Sequence, residues 1–283
     1  MGDLSGKTIL VTGASSGIGL EACVTLARRG AELLMVARDR GRGEAAVADV
    51  KARSGSAAPV SLLLCDFGSQ SSIRALAAEV RGRLSRLDVL INNAGSVSPK
   101  RQLTVDGLEQ TFAVNHLGYF LLTTLVLDLV EAAAPARIVN VASVGHRHGT
   151  LDFDDLQYER GYFIMKAYAR SKLANVLFTR ELARRLEGKR VTVNCLHPGA
   201  VSTNIWSHGP GFARPLVALA KLFMVTPSVG GERIAYLAAS PEVEGQTGGY
   251  YVKNRPVAPS RLAQDSALAR RLWDVSAQLV GPS

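Results

Sequence analysis

Tyr168 and Lys172 stand four residues apart in Tyr168-Ala169-Arg170-Ser171-Lys172, within a stretch of helical periodicity, so both project from one helix face. An ammonium beside a phenol favours the phenolate, so the spacing predicts a phenol pKa below its ordinary value of about 10. Such a phenol can exchange a proton with a substrate oxygen near neutral pH. A surface tyrosine–lysine pair has the same spacing, so other residues must add to it. Ser143 closes the run Val139-Asn140-Val141-Ala142-Ser143, where the end of a strand would aim its hydroxyl into a crevice to hold a carbonyl oxygen. Capping or turn formation is its other open role. Asn115 is an amide inside the apolar run Val114-Asn115-His116-Leu117-Gly118. A buried amide must find partners, so it could pin a helix kink or carry a water.

A second cluster could hold phosphate. Thr12-Gly13-Ala14-Ser15-Ser16-Gly17-Ile18-Gly19 joins an apolar strand to a helix. Such a junction turns backbone N–H groups and the positive end of the helix dipole toward a pyrophosphate, and the glycines allow close approach. The spacing is one residue off the common G-x-G-x-x-G arrangement; an ordinary turn is the alternative. After the second strand the chain reads Val36-Ala37-Arg38-Asp39-Arg40. An acid at that strand end would bond a ribose 2′-hydroxyl, whereas arginine accommodates a 2′-phosphate. Ala37 occupies the acid position and Arg38 follows, which predicts NADP(H) over NAD(H); Arg40 is a weaker second clamp. Asp39 could face the adenosine or cap the next helix. Asp66, before Phe67, could accept from an adenine amino group or cap the helix that follows. Asn93, Ala94 and Gly95, in the run Asn92–Gly95, suit a wall against the adenosine, or a plain turn.

The elements that must position these residues alternate β-branched runs with helical patterns, the signature of a parallel sheet covered on both faces. Strands are expected at 7–12, 31–37, 60–65, 87–91, 137–142, 190–196 and 248–252. Helices are expected at 17–30, 41–53, 69–84, 108–134 (one or two), 163–186 and 228–239. Two segments break the pattern, polar 146–161 and apolar 203–226, and both follow strand ends where open α/β sheets bind ligands. The second is the expected substrate lid, with Trp206, Phe212 and Phe223 as bulk; a core helix is the bland alternative, and Arg214 and Lys221 leave peripheral membrane contact open. No repeat or long linker appears, so residues 1–283 are expected to form one domain.

Composition narrows the function. The 283 residues are 47% hydrophobic and 20% charged, a balance that a disordered chain would reverse. The net charge of +9 invites a nucleic-acid reading, but the basic residues are interleaved with acids, as in Arg180-Glu181-Leu182-Ala183-Arg184-Arg185-Leu186-Glu187, which reads as a solvated helix face. Cys23, Cys65 and Cys195 lack metal-ligand spacing and read as buried apolar residues of a reducing compartment. No basic-then-apolar leader precedes the first strand, and the longest apolar stretch, Leu117 to Val130, is broken by Asp128 and is short for a bilayer. A cytoplasmic chain without a transmembrane segment is the expectation.

Together the motifs resemble the short-chain dehydrogenase/reductase family: TGASSGIG at 12–19, NNAG at 92–95, Asn115, Ser143, YxxxK at 168–172 and His197-Pro198-Gly199, in the family's order from residue 7 to about 255. The resemblance implies an α/β Rossmann-type, doubly wound domain with seven parallel strands flanked by helices. It also implies a tetrad. Tyr168 would exchange the proton with the substrate oxygen, and Ser143 would orient that oxygen. Lys172 would bind the nicotinamide ribose and lower the Tyr168 pKa, and Asn115 would hold a relay water. Pro198, Gly199, Ala200 and Val201 would line the nicotinamide, and Thr203 would touch its carboxamide or the diphosphate; no metal is implied. The runs 114–123, 168–186, 195–199 and 240–245 are similar to the retinol dehydrogenase-like branch, which uses NADP(H) on lipophilic alcohols, aldehydes and ketones. Animal members of that branch carry an N-terminal anchor, which the run ahead of the first strand does not resemble. Family members pair the helices corresponding to 108–130 and 163–186, which implies a homodimer or homotetramer. A non-catalytic NADP-sensing or scaffold protein is the alternative, against which the intact tetrad argues.

Overall fold

The computed structural model describes residues 2–199 and 225–282; Val201, Thr203 and all but the last two residues of the expected 203–226 lid lie outside them. The chain runs β1 (Thr8–Thr12), α1 (Gly17–Ala27), β2 (Glu32–Ala37), α2 (Arg40–Ser54), β3 (Val60–Leu64), α3 (Gln70–Arg83), β4 (Val89–Asn92), α4 (Gln110–Phe112), α5 (Gly118–Ala132) and β5 (Ala136–Val141). It continues through α6 (Ile164–Arg185), β6 (Val191–His197), α7 (Pro227–Ala239), β7 (Tyr250–Val252), β8 (Arg255–Pro256) and α8 (Ser266–Val280).

One sheet holds the strands in the order β3-β2-β1-β4-β5-β6-β7-β8. β3 through β7 pair in parallel as expected, but an eighth strand joins the expected seven, antiparallel to β7. Lys253 and Asn254 have φ of 51° and 63° and fold the chain back in a two-residue hairpin whose twist suits the flanking strands. Two residues, one of them Pro256 on the edge, are too few to carry a strand pattern. The order reverses between β1 and β4, so a crevice opens beyond their carboxyl ends.

Alternation along the strands feeds two cores. Leu10, Leu34, Leu90, Ile138 and Val193 point to the face covered by α3, α5, α6 and α8. Ile9, Leu33, Val89, Val139 and Leu196 point to the face covered by α1 and α7. The period of two in the sequence is this sheet geometry. Gly231 lets α7 press onto α1: a Cβ there would come within 2.6 Å of the Ala22 nitrogen.

Between α4 and α5, residues Ala113–Leu117 form a π-helical turn, so Gln110–Ala132 runs as one helix with a local bulge at Asn115. Its 23 residues are long and apolar enough to cross a membrane on those grounds alone, against the expectation from Leu117 to Val130, but 78% of its apolar window is buried inside the molecule. The core explains its character.

The helix α8 was not foreseen in the pattern of strands and helices. Asp265 caps its first N–H groups, from Ala267 and Leu268. Its Trp273 stacks on Phe178 of α6 (5.8 Å between centroids) and meets Phe120 of α5 edge-on (4.8 Å), while Arg185 lies 4.2 Å over the indole. Thus α8 packs on α5 and α6 through Trp273. Trp273→Ala is expected to lower unfolding free energy by about 3 kcal/mol, read by urea denaturation.

Candidate active site

The glycine loop leaves β1 and packs on the end of β4. Gly13 and Gly17 have φ of 64° and 58°. A Cβ on Gly13 would lie 2.7 Å from Ala94 Cα, and one on Gly19 would lie 2.4 Å from the Gly13 carbonyl, so both positions are closed to larger residues. Asn93, expected to wall the adenosine, donates its amide to the Thr12 and Gly13 carbonyls at 2.9 and 3.1 Å. It ties the loop down. Thr12, absent from the candidate residues, organises the same joint: its hydroxyl accepts the Asn93 and Ala94 N–H groups and donates to the Ile91 carbonyl.

At α1 the cap residue Ser16 is exposed and its side chain makes no capping bond, whereas Asp39, Ser69 and Asp265 cap α2, α3 and α8. The first N–H groups of α1, from Gly17 and Ile18 onward, are therefore open to an anionic ligand beside Ser15. Asp39 accepts from the Arg42 N–H at 2.9 Å, so of its two expected roles it takes the cap. Arg38 is exposed at the end of β2; Arg40 pairs with Glu44 and Arg42 with Asp39, but among the described residues Arg38 forms no ion pair. Asp66 is exposed and accepts from the Gly68 N–H, while Ser69 caps the helix that follows. The Phe67 side chain turns into the core against Gly118, leaving only its main chain toward the crevice. Loop and helix end fit the pyrophosphate of a dinucleotide, with Arg38 exposed beside them.

The four tetrad residues converge from β5, the π turn and α6. Ser143 follows β5, and its hydroxyl accepts from the Gly145 N–H at 3.1 Å. Gly145 leaves room beside Ser143 and Tyr168: its Cβ would lie 3.4 Å from Ser143 Oγ and from Tyr168 Cε1. Lys172 is buried; its ammonium donates to the Val141 carbonyl at 2.9 Å and sits 5.7 Å from the Tyr168 ring centroid. The Asn115 amide donates to Ser171 Oγ at 3.0 Å and accepts the Ser96 N–H at 2.8 Å, and Ser171 donates to the Tyr168 carbonyl. Asn115 thus braces α6 under Tyr168 from a bulged turn. Gly95 lies against it, 3.4 Å from a would-be Cβ to Asn115 Oδ1. Pro198 is held through its carbonyl by Arg233 of α7 at 2.8 Å, and Gly199 has φ of 108°.

Electrostatics overturn one expectation. Burial pushes the Tyr168 phenol above its ordinary value, opposed by the Ser143 hydrogen bond; Lys172 does not make it acidic. The ammonium is engaged with Val141 rather than with the phenol, so desolvation outweighs it. Desolvation also lowers Lys172 to about 8. The phenol is therefore a neutral proton donor at pH 7.

A doubly wound sheet, a glycine loop at its switch point and a Ser–Tyr–Lys cluster beyond β5 define an α/β dinucleotide-binding oxidoreductase fold. The family model for short chain dehydrogenase matches residues 7–209, and the chain belongs to that family. Members bind a nicotinamide cofactor. Mouse (Mus musculus) retinol dehydrogenase 14 is 46% identical over 294 residues, 99% of this chain and 87% of the relative. Human (Homo sapiens) retinol dehydrogenase 13 is 42% identical over 284 residues, 98% and 86%. Among solved structures, a protein of uncharacterised function from Mycobacterium paratuberculosis matches with a TM-score of 0.80 at 34% identity, covering 99% of this chain and 95% of that one. A short-chain dehydrogenase from Burkholderia cenocepacia J2315, in complex with NADP, matches at 0.70 and 25% identity, covering 88% and 96%.

Proposed function

We propose that this chain is an NADP(H)-dependent oxidoreductase that interconverts a lipophilic alcohol with its ketone or aldehyde. The observation that carries the reading is the convergence of Ser143 and Tyr168 about Gly145, a Cβ on which would lie 3.4 Å from each, with the buried Lys172 ammonium 5.7 Å from the Tyr168 ring centroid. Bound NADP(H) would supply or accept the hydride at the substrate carbon. The glycine loop from Gly13 to Gly19 and the α1 N-terminus would hold its pyrophosphate, Arg38 the 2′-phosphate, and Lys172 the nicotinamide ribose. Pro198, Gly199, Val201 and Thr203 remain proposed neighbours of the nicotinamide.

In the reduction direction Ser143 Oγ fixes the carbonyl oxygen and Tyr168 Oη delivers the proton to it. A phenol kept neutral by burial needs no prior activation for that step, and in oxidation the same oxygen takes the proton back. The Lys172 ammonium favours the tyrosinate formed after transfer, which a neutral amine would not do. The Asn115–Ser171 brace holds the α6 turn that presents the phenol.

Apolar bulk supports the substrate class. Val144 beside Ser143, Phe163 and Met165 ahead of Tyr168, and Val257 and Leu262 near the C-terminus are large exposed apolar side chains. The names of the curated relatives point the same way, toward retinoid-like molecules. A cytoplasmic location and the 203–226 lid are proposed on sequence grounds.

The test is NADPH consumption with retinal, steroid, aromatic and aliphatic carbonyl compounds; failure with every lipophilic compound would remove the reading. Its pH dependence follows from Lys172. Below about 8 the side chain is charged, and it loses its proton as pH rises through that value. Reduction is therefore expected to lose kcat/KM above pH about 8, measured as a pH–rate profile, and a flat profile to pH 10 would contradict the role. Stability moves oppositely through this group. Its folded value lies below the ordinary lysine value of 10.5, so across that window the unfolded chain binds more protons and folding strengthens with pH.

A further inference from the structure

Three residues after Ser143, the buried imidazole of His146 sits between two main-chain groups of opposite character. Its Nδ1 lies 2.7 Å from the Ser143 carbonyl, which can only accept, so Nδ1 carries the hydrogen. Its Nε2 receives the Ser260 N–H at 3.0 Å, which can only donate, so Nε2 is bare. One tautomer satisfies both contacts, and an imidazolium would set N–H against N–H. The ring rests edge-on against Tyr250 of β7, 4.7 Å between centroids, which removes room for another rotamer. The neighbouring Arg147 adds a second stitch to the same segment, donating to the Ala258 carbonyl at 2.9 Å.

We propose that His146 is a positioning residue for Ser143: a neutral, Nδ1-protonated imidazole that ties the Ser143 main chain to the C-terminal segment at Ser260. The inference rests on the reading that Ser143 holds the substrate oxygen. The geometry gives it a direction. Gly145 N–H holds the Ser143 hydroxyl, the His146 ring holds the Ser143 carbonyl, and the Ser260 N–H holds the ring. A rotation of the Ser143 peptide is thus resisted by a segment more than a hundred residues away, the one carrying Val257 and Leu262. Displacing a reacting group by about 1 Å can cost ~100-fold in rate, so a tether of this kind acts on turnover more than on cofactor binding.

Two near-isosteric variants separate the two ends of the tether. In His146→Asn the amide nitrogen overlies Nδ1 and can still donate to the Ser143 carbonyl. In His146→Gln the amide overlies Nε2 and can accept from Ser260 but does not reach Ser143. With NADPH and a lipophilic ketone, kcat is expected to fall about 10- to 100-fold in His146→Gln and to stay within about fivefold of wild type in His146→Asn. The Kd for NADPH, by fluorescence titration, should stay within about twofold in both. Equal losses in the two variants, or a loss confined to KM, would overturn the proposal. Ser143→Ala is measured alongside. If it turns over normally, the catalytic reading falls and takes this inference with it; if it is inactive while both His146 variants match wild type, only the tether falls. Long-range 1H–15N spectra of the wild-type imidazole give a readout independent of how the variants fold. Protonated Nδ1 with bare Nε2 at pH 7 is expected, and the reverse tautomer or an imidazolium would overturn the assignment.

Discussion

Tyr168→Phe is expected to lower kcat/KM for NADPH-dependent carbonyl reduction by about 10³-fold, while the Kd for NADPH changes by less than about twofold. The substitution removes one oxygen and leaves the ring, so the packing against Gly145 and the course of α6 persist. What disappears is the proton that the phenol would give. Ser143 and the cofactor would still bind and orient a carbonyl compound, so the loss should fall on kcat rather than on KM. Steady-state rates at saturating NADPH, together with a fluorescence titration of the cofactor, read both quantities. A loss of turnover matched by a loss of cofactor binding would mark Tyr168 as a structural residue.

The second large effect concerns the cofactor. Arg38→Asp should weaken NADPH by about 100-fold relative to NADH, because it replaces a charge-assisted contact to the 2′-phosphate with a repulsion. Arg38 is exposed, so the discrimination should shrink as salt rises. Its neighbours are occupied: Arg40 with Glu44, Arg42 with Asp39. Parallel Kd measurements for the two cofactors decide it; equal weakening of both would remove the 2′-phosphate assignment.

How much of this was legible in the sequence depends on the range over which each feature is determined. The parallel sheet and its order of helices follow from local patterns, because a strand buried on both faces writes itself as a β-branched run. The glycine loop was legible for the same reason: positive φ and close packing leave few residues other than glycine. Tyr168 and Lys172 share a face by helical geometry, but the net direction of the phenol's shift did not follow. The spacing fixes proximity, while the Val141 carbonyl that claims the ammonium, and the burial that raises the phenol, come from the fold.

Longer-range features left weaker traces. Asn115 sits in the bulge at Ala113–Leu117, in line with its reading as a kink residue, but its partners Ser96 and Ser171 lie too far along the chain for spacing to name them. The tether from Asn93 was not legible because its partners, the Thr12 and Gly13 carbonyls, lie on another strand's loop. The helix α8 did carry a signal, Asp265 before apolar residues at Leu268, Leu272, Val275 and Leu279, which the βα alternation upstream obscured. His146 lay in a segment read only as polar loop, and its partner Ser260 is too distant in the chain for spacing to link them.

The most direct measurement of the central claim is a crystal structure with NADP and a bound lipophilic alcohol or non-reacting ketone. The account expects the substrate oxygen within about 2.6–3.2 Å of both Tyr168 Oη and Ser143 Oγ, with its carbon facing the nicotinamide. An oxygen bonded to neither side chain, with the ligand seated away from the β5 end of the sheet, would contradict it.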